Sequence, residues 1–167
     1  MNVGRRQLLR TGLAGGLLLS FAGWLNAAGD RRLNDAEREM LSAIANALLD
    51  GALPEAAAER EQRLAVTVAG IEKAVGGMSP ATQKELGELF GLLVLAPGRR
   101  MLAGVSQPWR KTNTSEVAEF LQGWRGSRLQ LLQSAYAALH DLTFAAWYGR
   151  PENWLAIAYP GPPRGYF

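Results

Sequence analysis

His140 is the single histidine of this chain, and there is no cysteine. Together these two facts bound the chemistry. A catalytic dyad on His140 needs a nucleophile on one side of the ring and an orienting group on the other. Asp141 follows directly, but consecutive helical residues point about 100° apart and do not face each other. Tyr136 stands one turn earlier on the same face, so a Tyr–His contact is the arrangement that would give the histidine a chemical role. The competing reading is a half-buried structural histidine. One His without Cys is a poor metal set, and thiolate zinc, iron–sulfur clusters, disulfides and covalent haem are excluded outright. Glu59, Glu61, Glu116 and Glu119 read as solvated helix faces. No G-x-S-x-G, H-E-x-x-H, nucleotide-binding or haem-attachment motif follows the first thirty residues. The chain alone therefore reads as a non-enzyme with no cofactor site of its own.

The other chemically pointed residues are arginines. Arg5, Arg6 and Arg10 precede every acidic group, the first of which is Asp30. Eighteen basic groups less these three leave 15, which equals the 15 acidic ones. The net charge of +3 thus belongs to the first ten residues, and the rest carries no basic excess of the kind nucleic-acid binding needs. Gly4-Arg5-Arg6-Gln7-Leu8-Leu9-Arg10 followed by the glycine-softened apolar run Leu13 to Trp24 resembles a twin-arginine export signal. Leu8 and Leu9 stand where such signals carry bulky apolar residues. The uncharged run from Thr11 to Gly29 is just long enough to span ~30 Å of hydrocarbon, so a retained signal anchor stays open beside a cleaved peptide. Residues 1–29 are read as the signal and 30–167 as one helical domain. The resemblance implies the twin-arginine translocase as a partner, a periplasmic location and, if uncleaved, an inner-membrane anchor through residues 11–29.

The elements that must position these residues all read as helices. The composition, 48% apolar and 20% charged over 167 residues, suits one globular domain. Asn34 and Glu37 make a capping box at the start of a first helix with Leu41, Ile44 and Leu48 inward, ending at Asp50-Gly51. A second runs from about Glu55 to Val75 on the stripe Leu64, Val68, Ile71, Val75. Ser79-Pro80 opens a third, with Leu86, Leu89, Phe90 and Leu93 inward, and Ala96-Pro97-Gly98 breaks it. A short turn at Met101-Leu102 and the Pro108-Trp109 loop lead to the longest run, Asn113 to Trp147. Its apolar residues (Val117, Phe120, Leu121, Trp124, Leu131, Leu132, Ala135, Leu139, Leu142, Ala146) keep helical spacing, and the chain is expected to be organised around it. One helix of about 34 residues would run ~50 Å, too long for a small domain, so a kink or overhang is expected, with Gly123 and Gly126 the weak points. Arg128 interrupts the stripe; it either snorkels past the core edge or pairs with a buried carboxylate. No strand pattern and no internal repeat occur. The predicted fold is all-α: a single helical domain of about five helices, a long C-terminal helix and an extended Pro-rich tail.

The tail is the most distinctive stretch. Pro151 can open a short helical turn carrying Trp154 and Ile157, and Pro160 to Pro163 must be extended. Trp154, Ile157, Tyr159, Pro160 and Pro162 suit docking, either onto the chain's own helices or onto another protein. The ending W-Y-G-R-P-E-N-W-L-A-I-A-Y-P-G-P-P, and less strongly Leu33 to Leu49, resemble the gluconate 2-dehydrogenase subunit 3-like proteins. These are small subunits of membrane-bound FAD-dependent dehydrogenases. The match covers about a third of the chain and includes no catalytic motif. The resemblance implies a non-catalytic accessory subunit that assists folding and co-export of a glucose-methanol-choline-type flavoprotein, often with a cytochrome c subunit. The FAD would belong to the partner. The lack of cysteine departs from some members, which leaves the partner and the subfamily undefined. The alternative from a different class is a stand-alone exported helical binding or scaffold protein.

Overall fold

The computed structural model describes residues 32–157, the side chains of 155–157 excepted. Arg5, Arg6, Leu8, Leu9, Tyr159, Pro160 and Pro162 lie outside the described residues. Within them the chain is all-helical. The elements are α1 (Asp35–Leu48), α2 (Ala57–Gly76), α3 (Pro80–Val94), α4 (Ala96–Leu102), α5 (Thr114–Arg125) and α6 (Gln130–Tyr148). Two 3-10 turns, Trp109–Lys111 and Pro151–Ile157, complete the described part, which holds no strand.

Local chemistry sets the helix starts. Asn34 accepts the Glu37 N–H at 2.9 Å, and the Glu37 carboxylate accepts the Asn34 N–H at 3.1 Å, closing the expected box. Ser79 caps α3 with Pro80 in its first turn, and Asn113 Oδ1 accepts the Glu116 N–H at 2.8 Å to start α5. These side-chain oxygens satisfy amide groups that the helix itself leaves unpaired.

The centre of the molecule is α1 and not the C-terminal run. α1 packs on α2, α3, α5, α6 and the Trp109 turn, and Met40, Leu41, Ile44 and Ala45 on it are fully buried. Around it close Val68, Ile71 and Val75 of α2, Phe90 and Leu93 of α3, Val117 and Leu121 of α5, and Leu139 of α6. Leu48 and Leu89, expected inward, are only half-buried. α6 lies along α2 and also touches α5 and α1. The two long helices approach closely at Gly70, where a Cβ would stand 3.0 Å from the Ala146 Cβ.

The run expected as one long helix is two. α5 ends at Arg125 and α6 begins at Gln130. Of the two weak points, Gly123 stays helical, and the chain parts at Gly126. The reason lies just beyond it. Ser127 Oγ accepts the Leu129 N–H at 3.1 Å, and Gln133 Nε2 donates to the Ser127 carbonyl at 2.8 Å. Such local side-chain bonds offer the backbone an alternative to the helix. The break resets the register of the stripe, so Leu131 is exposed rather than inward. Arg128 falls in the break and is exposed, and none of the ion pairs among the described residues includes it.

Ala96-Pro97-Gly98 likewise does more than end α3. Leu95 is extended, and α4 restarts at once with Pro97 in its first turn, where the missing N–H costs nothing. A Cβ on Gly98 would fall 1.9 Å from the Leu92 carbonyl oxygen, so only glycine fits this corner.

Candidate functional site

Three tryptophans do the same local job, and the job explains their positions. The last four carbonyls of a helix have no partner within it. Trp109 Nε1 donates to the Leu93 carbonyl at the end of α3, and Trp124 Nε1 to the Leu102 carbonyl at the end of α4, both at 2.8 Å. Trp154 Nε1 donates to the Tyr148 carbonyl, the last residue of α6, at 2.6 Å. Each indole buries apolar area and satisfies an orphan acceptor. Phe120 ties the first two together, edge-on to Trp124 at 4.9 Å and tilted to Trp109 at 6.1 Å.

The C-terminal seam is where the tail meets the body. Pro151 opens the 3-10 turn as expected. Asn153, missed by sequence reasoning, is its buried polar hub: Nδ2 donates to the Trp147 carbonyl at 2.7 Å, and Oδ1 accepts from Arg63 Nη1 of α2 at 3.3 Å. Trp154 is half-buried beside it. Of the predicted docking residues, then, Trp154 engages the chain's own α6, and Ile157 lies in the same turn. The signal that could have revealed Asn153 is its spacing: a short amide six residues beyond Trp147, just past Pro151, can reach back to a helix end. On the surface of the turn, Arg150 donates to Glu152 at 2.7 Å. The Glu152 backbone N–H first, and then Arg150, hold the Glu152 carboxyl below its ordinary range. A depressed carboxylate stabilises the fold above its unfolded-state pKa, and that contribution is lost as pH falls through the folded value.

Upstream of the seam, α6 carries four rings at i,i+4 spacing. His140 stacks on Phe144 at 4.3 Å, with Tyr136 at 5.7 Å from His140 and Tyr148 at 5.7 Å from Phe144. The Tyr–His contact is thus a ring contact. Asp141, expected to point away, instead accepts from His140 Nδ1 at 2.9 Å. Both side chains lean out of the helix toward solvent, and there the two short groups can meet despite the 100° offset. The pair has the orienting half of a dyad. Yet His140 is 37% and Asp141 79% exposed, and the described residues place no hydroxyl in hydrogen-bond contact with the ring. Water on this open face weakens any charge placed there.

Glu59, Glu61 and Glu119 are exposed and Glu116 half-buried, as solvated faces should be. Among the described residues no group of three His, Cys, Asp or Glu is placed to hold a metal ion. No described helix is long and apolar enough to cross a membrane. Compared with protein-family models, curated proteins and solved structures, the chain matches none.

Proposed function

We propose that this chain is a non-catalytic accessory small subunit that assists the folding and co-export of a periplasmic FAD-dependent dehydrogenase. One observation carries the reading: a twin-arginine leader on a chain whose ending W-Y-G-R-P-E-N-W-L-A-I-A-Y-P-G-P-P resembles the small subunits of such enzymes. The twin-arginine route passes folded cargo, commonly proteins that load a cofactor in the cytoplasm. A chain with no cofactor motif gains nothing from that route alone and gains a purpose if its partner carries the FAD. The partner then needs no signal of its own. The part of the ending that the structure describes is built around Trp147, Asn153 and Trp154, which tie the exit of the chain to α2 and α6. The turn Pro151–Ile157 is thus held on the body, which supports a reading in which this end of the chain serves another protein at little ordering cost.

The stand-alone binding or scaffold reading is separated cheaply by the genes alongside: an adjacent flavoprotein gene without a signal sequence supports the subunit. His140→Gln separates the enzyme reading. The substitution keeps a polar side chain on an open face, so the expected result is unchanged assembly and unchanged turnover of the partner dehydrogenase. A large loss of turnover with assembly intact would restore His140 to a catalytic role.

A further inference from the structure

Single exposed apolar side chains are ordinary on a protein surface; here they are gathered. Among the described residues the exposed large apolar side chains are Leu95, Met101, Leu102, Leu129 and Leu131, with Met101 at 84%, Leu129 at 65% and Leu131 at 58%. They fall in two segments: α4 with the residue before it, and the passage from α5 into α6. The Trp124 indole joins these, because its bond to the Leu102 carbonyl sets the end of α4 against the last turn of α5. The same segments carry cations and no acids. Arg100, Arg125 and Arg128 are exposed, and no Asp or Glu occurs between Glu88 and Glu116 or between Glu119 and Asp141.

Two ties place this patch at one end of the molecule. Asn46, near the end of α1, donates to Thr114 at the start of α5 at 2.9 Å. Further along α5, Phe120 packs on Trp109, whose neighbour Arg110 pairs with Glu39 in the first half of α1. α5 therefore runs antiparallel to α1 and ends beside its start. There Leu33 is buried, and its N–H donates to Glu72 at 3.0 Å. Exposed Asp35 at this end is matched in charge by exposed Arg32. The uncharged run 11–29 stops four residues before Leu33, a reach of at most ~14 Å. The C-terminal turn lies at the other end: Asn153 accepts from Arg63, and Arg60, one turn before it on α2, donates to Asn46 and Asp50.

We infer that this end of the domain docks on an anionic lipid surface, with Met101, Leu129 and Leu131 entering the headgroup region and Arg100, Arg125 and Arg128 level with the phosphates. Charge complementarity argues for this occupant: apolar side chains flanked by arginines, without an acid among them, match an interface that is apolar beneath and negative above. Continuity argues for it as well, since the one stretch of the chain long enough to enter a bilayer joins the body at this same end. The inference goes beyond the proposed function. With this end on the membrane, the turn Pro151–Ile157 lies on the far side, so docking leaves the tail open to a partner.

The absence of native cysteine makes single-site labelling clean. Full-length Met101→Cys and Leu131→Cys proteins, each carrying an environment-sensitive fluorophore, are mixed with vesicles of phosphatidylglycerol and phosphatidylcholine. Glu59→Cys, exposed beside Arg60 at the other end, is the reference. The labels at 101 and 131 are expected to shift to the blue and to lose most of their emission to a nitroxide-bearing lipid, whereas the label at 59 keeps its emission. Arg128→Glu with Leu131→Glu alters exposed positions only. This double variant should melt like the parent and restore most of the emission at 101. Labels at 101 and 131 that stay as aqueous as the one at 59 overturn the inference. Equal quenching at all three positions also overturns it, because no end is then preferred, as does quenching at 101 that persists in the double variant. Shielding of 101 and 131 by purified flavoprotein but not by vesicles would assign the patch to a protein interface instead. Each of these contrary results leaves the proposed function standing.

Discussion

Replacing Arg5 and Arg6 together by Lys is expected, on the proposed function, to leave this protein in the cytoplasm together with the flavoprotein it is proposed to carry. The double change keeps the charge of the leader, so a general secretion signal would tolerate it. Twin-arginine recognition is different in kind. The planar guanidinium presents fixed, forked donors that a lysine ammonium does not reproduce. The contrast is all-or-none, read by fractionating cells and probing both chains. Normal export of the double-Lys protein would remove the twin-arginine assignment. Co-export would fall with it, because a general secretion channel passes unfolded chains and cannot carry a partner already loaded with FAD.

The second large effect divides the tail in two. Asn153 belongs to the body: it is 5% exposed and bonds both α6 and α2. Asn153→Ala strips the Trp147 carbonyl and Arg63 of their partner and is expected to cost about 2 kcal/mol, since a buried group is left unsatisfied. For a domain of this size that lowers the melting temperature by about 4–8 °C. Truncation after Ala158 instead keeps every described element, the Asn153 and Trp154 bonds included. It removes Tyr159, the run Pro160 to Pro163 and the final Tyr166-Phe167. On the proposed function the truncated protein melts near the parent temperature but loses the flavoprotein in a pull-down, because large aromatics carry most of the energy of an interface. A lowered melting temperature with an unchanged pull-down would assign the distal tail to the chain's own core.

What the sequence made legible follows a physical line. Features decided by three or four neighbouring residues were readable: the Asn34–Glu37 box, the Ser79-Pro80 start, the stripe Leu64, Val68, Ile71, Val75, and the turn opened by Pro151. All-α architecture followed from these. Features decided by distant packing were not. That α1 is the hub depends on which faces meet, and periodicity along a single helix does not tell that. The break after Gly126 was half legible. Glycine marked two weak points equally, and the choice fell to Ser127 and Gln133, whose bonds a periodicity argument does not weigh. Trp154 read as a docking residue, for the chain's own helices or for another protein; its bond to the end of α6 appears only in three dimensions. Asn153 was missed for the same reason, since a polar residue announces its burial only through what surrounds it.

The proposed subunit role is tested most directly by purifying the full-length protein from a periplasmic extract under mild conditions and scanning the eluate for flavin absorbance. The expected result is a second, larger chain that elutes with this one, carries FAD and lacks a signal sequence. Elution of this protein alone, without flavin, from cells that express the adjacent genes would contradict the subunit role and leave the stand-alone binding protein in its place.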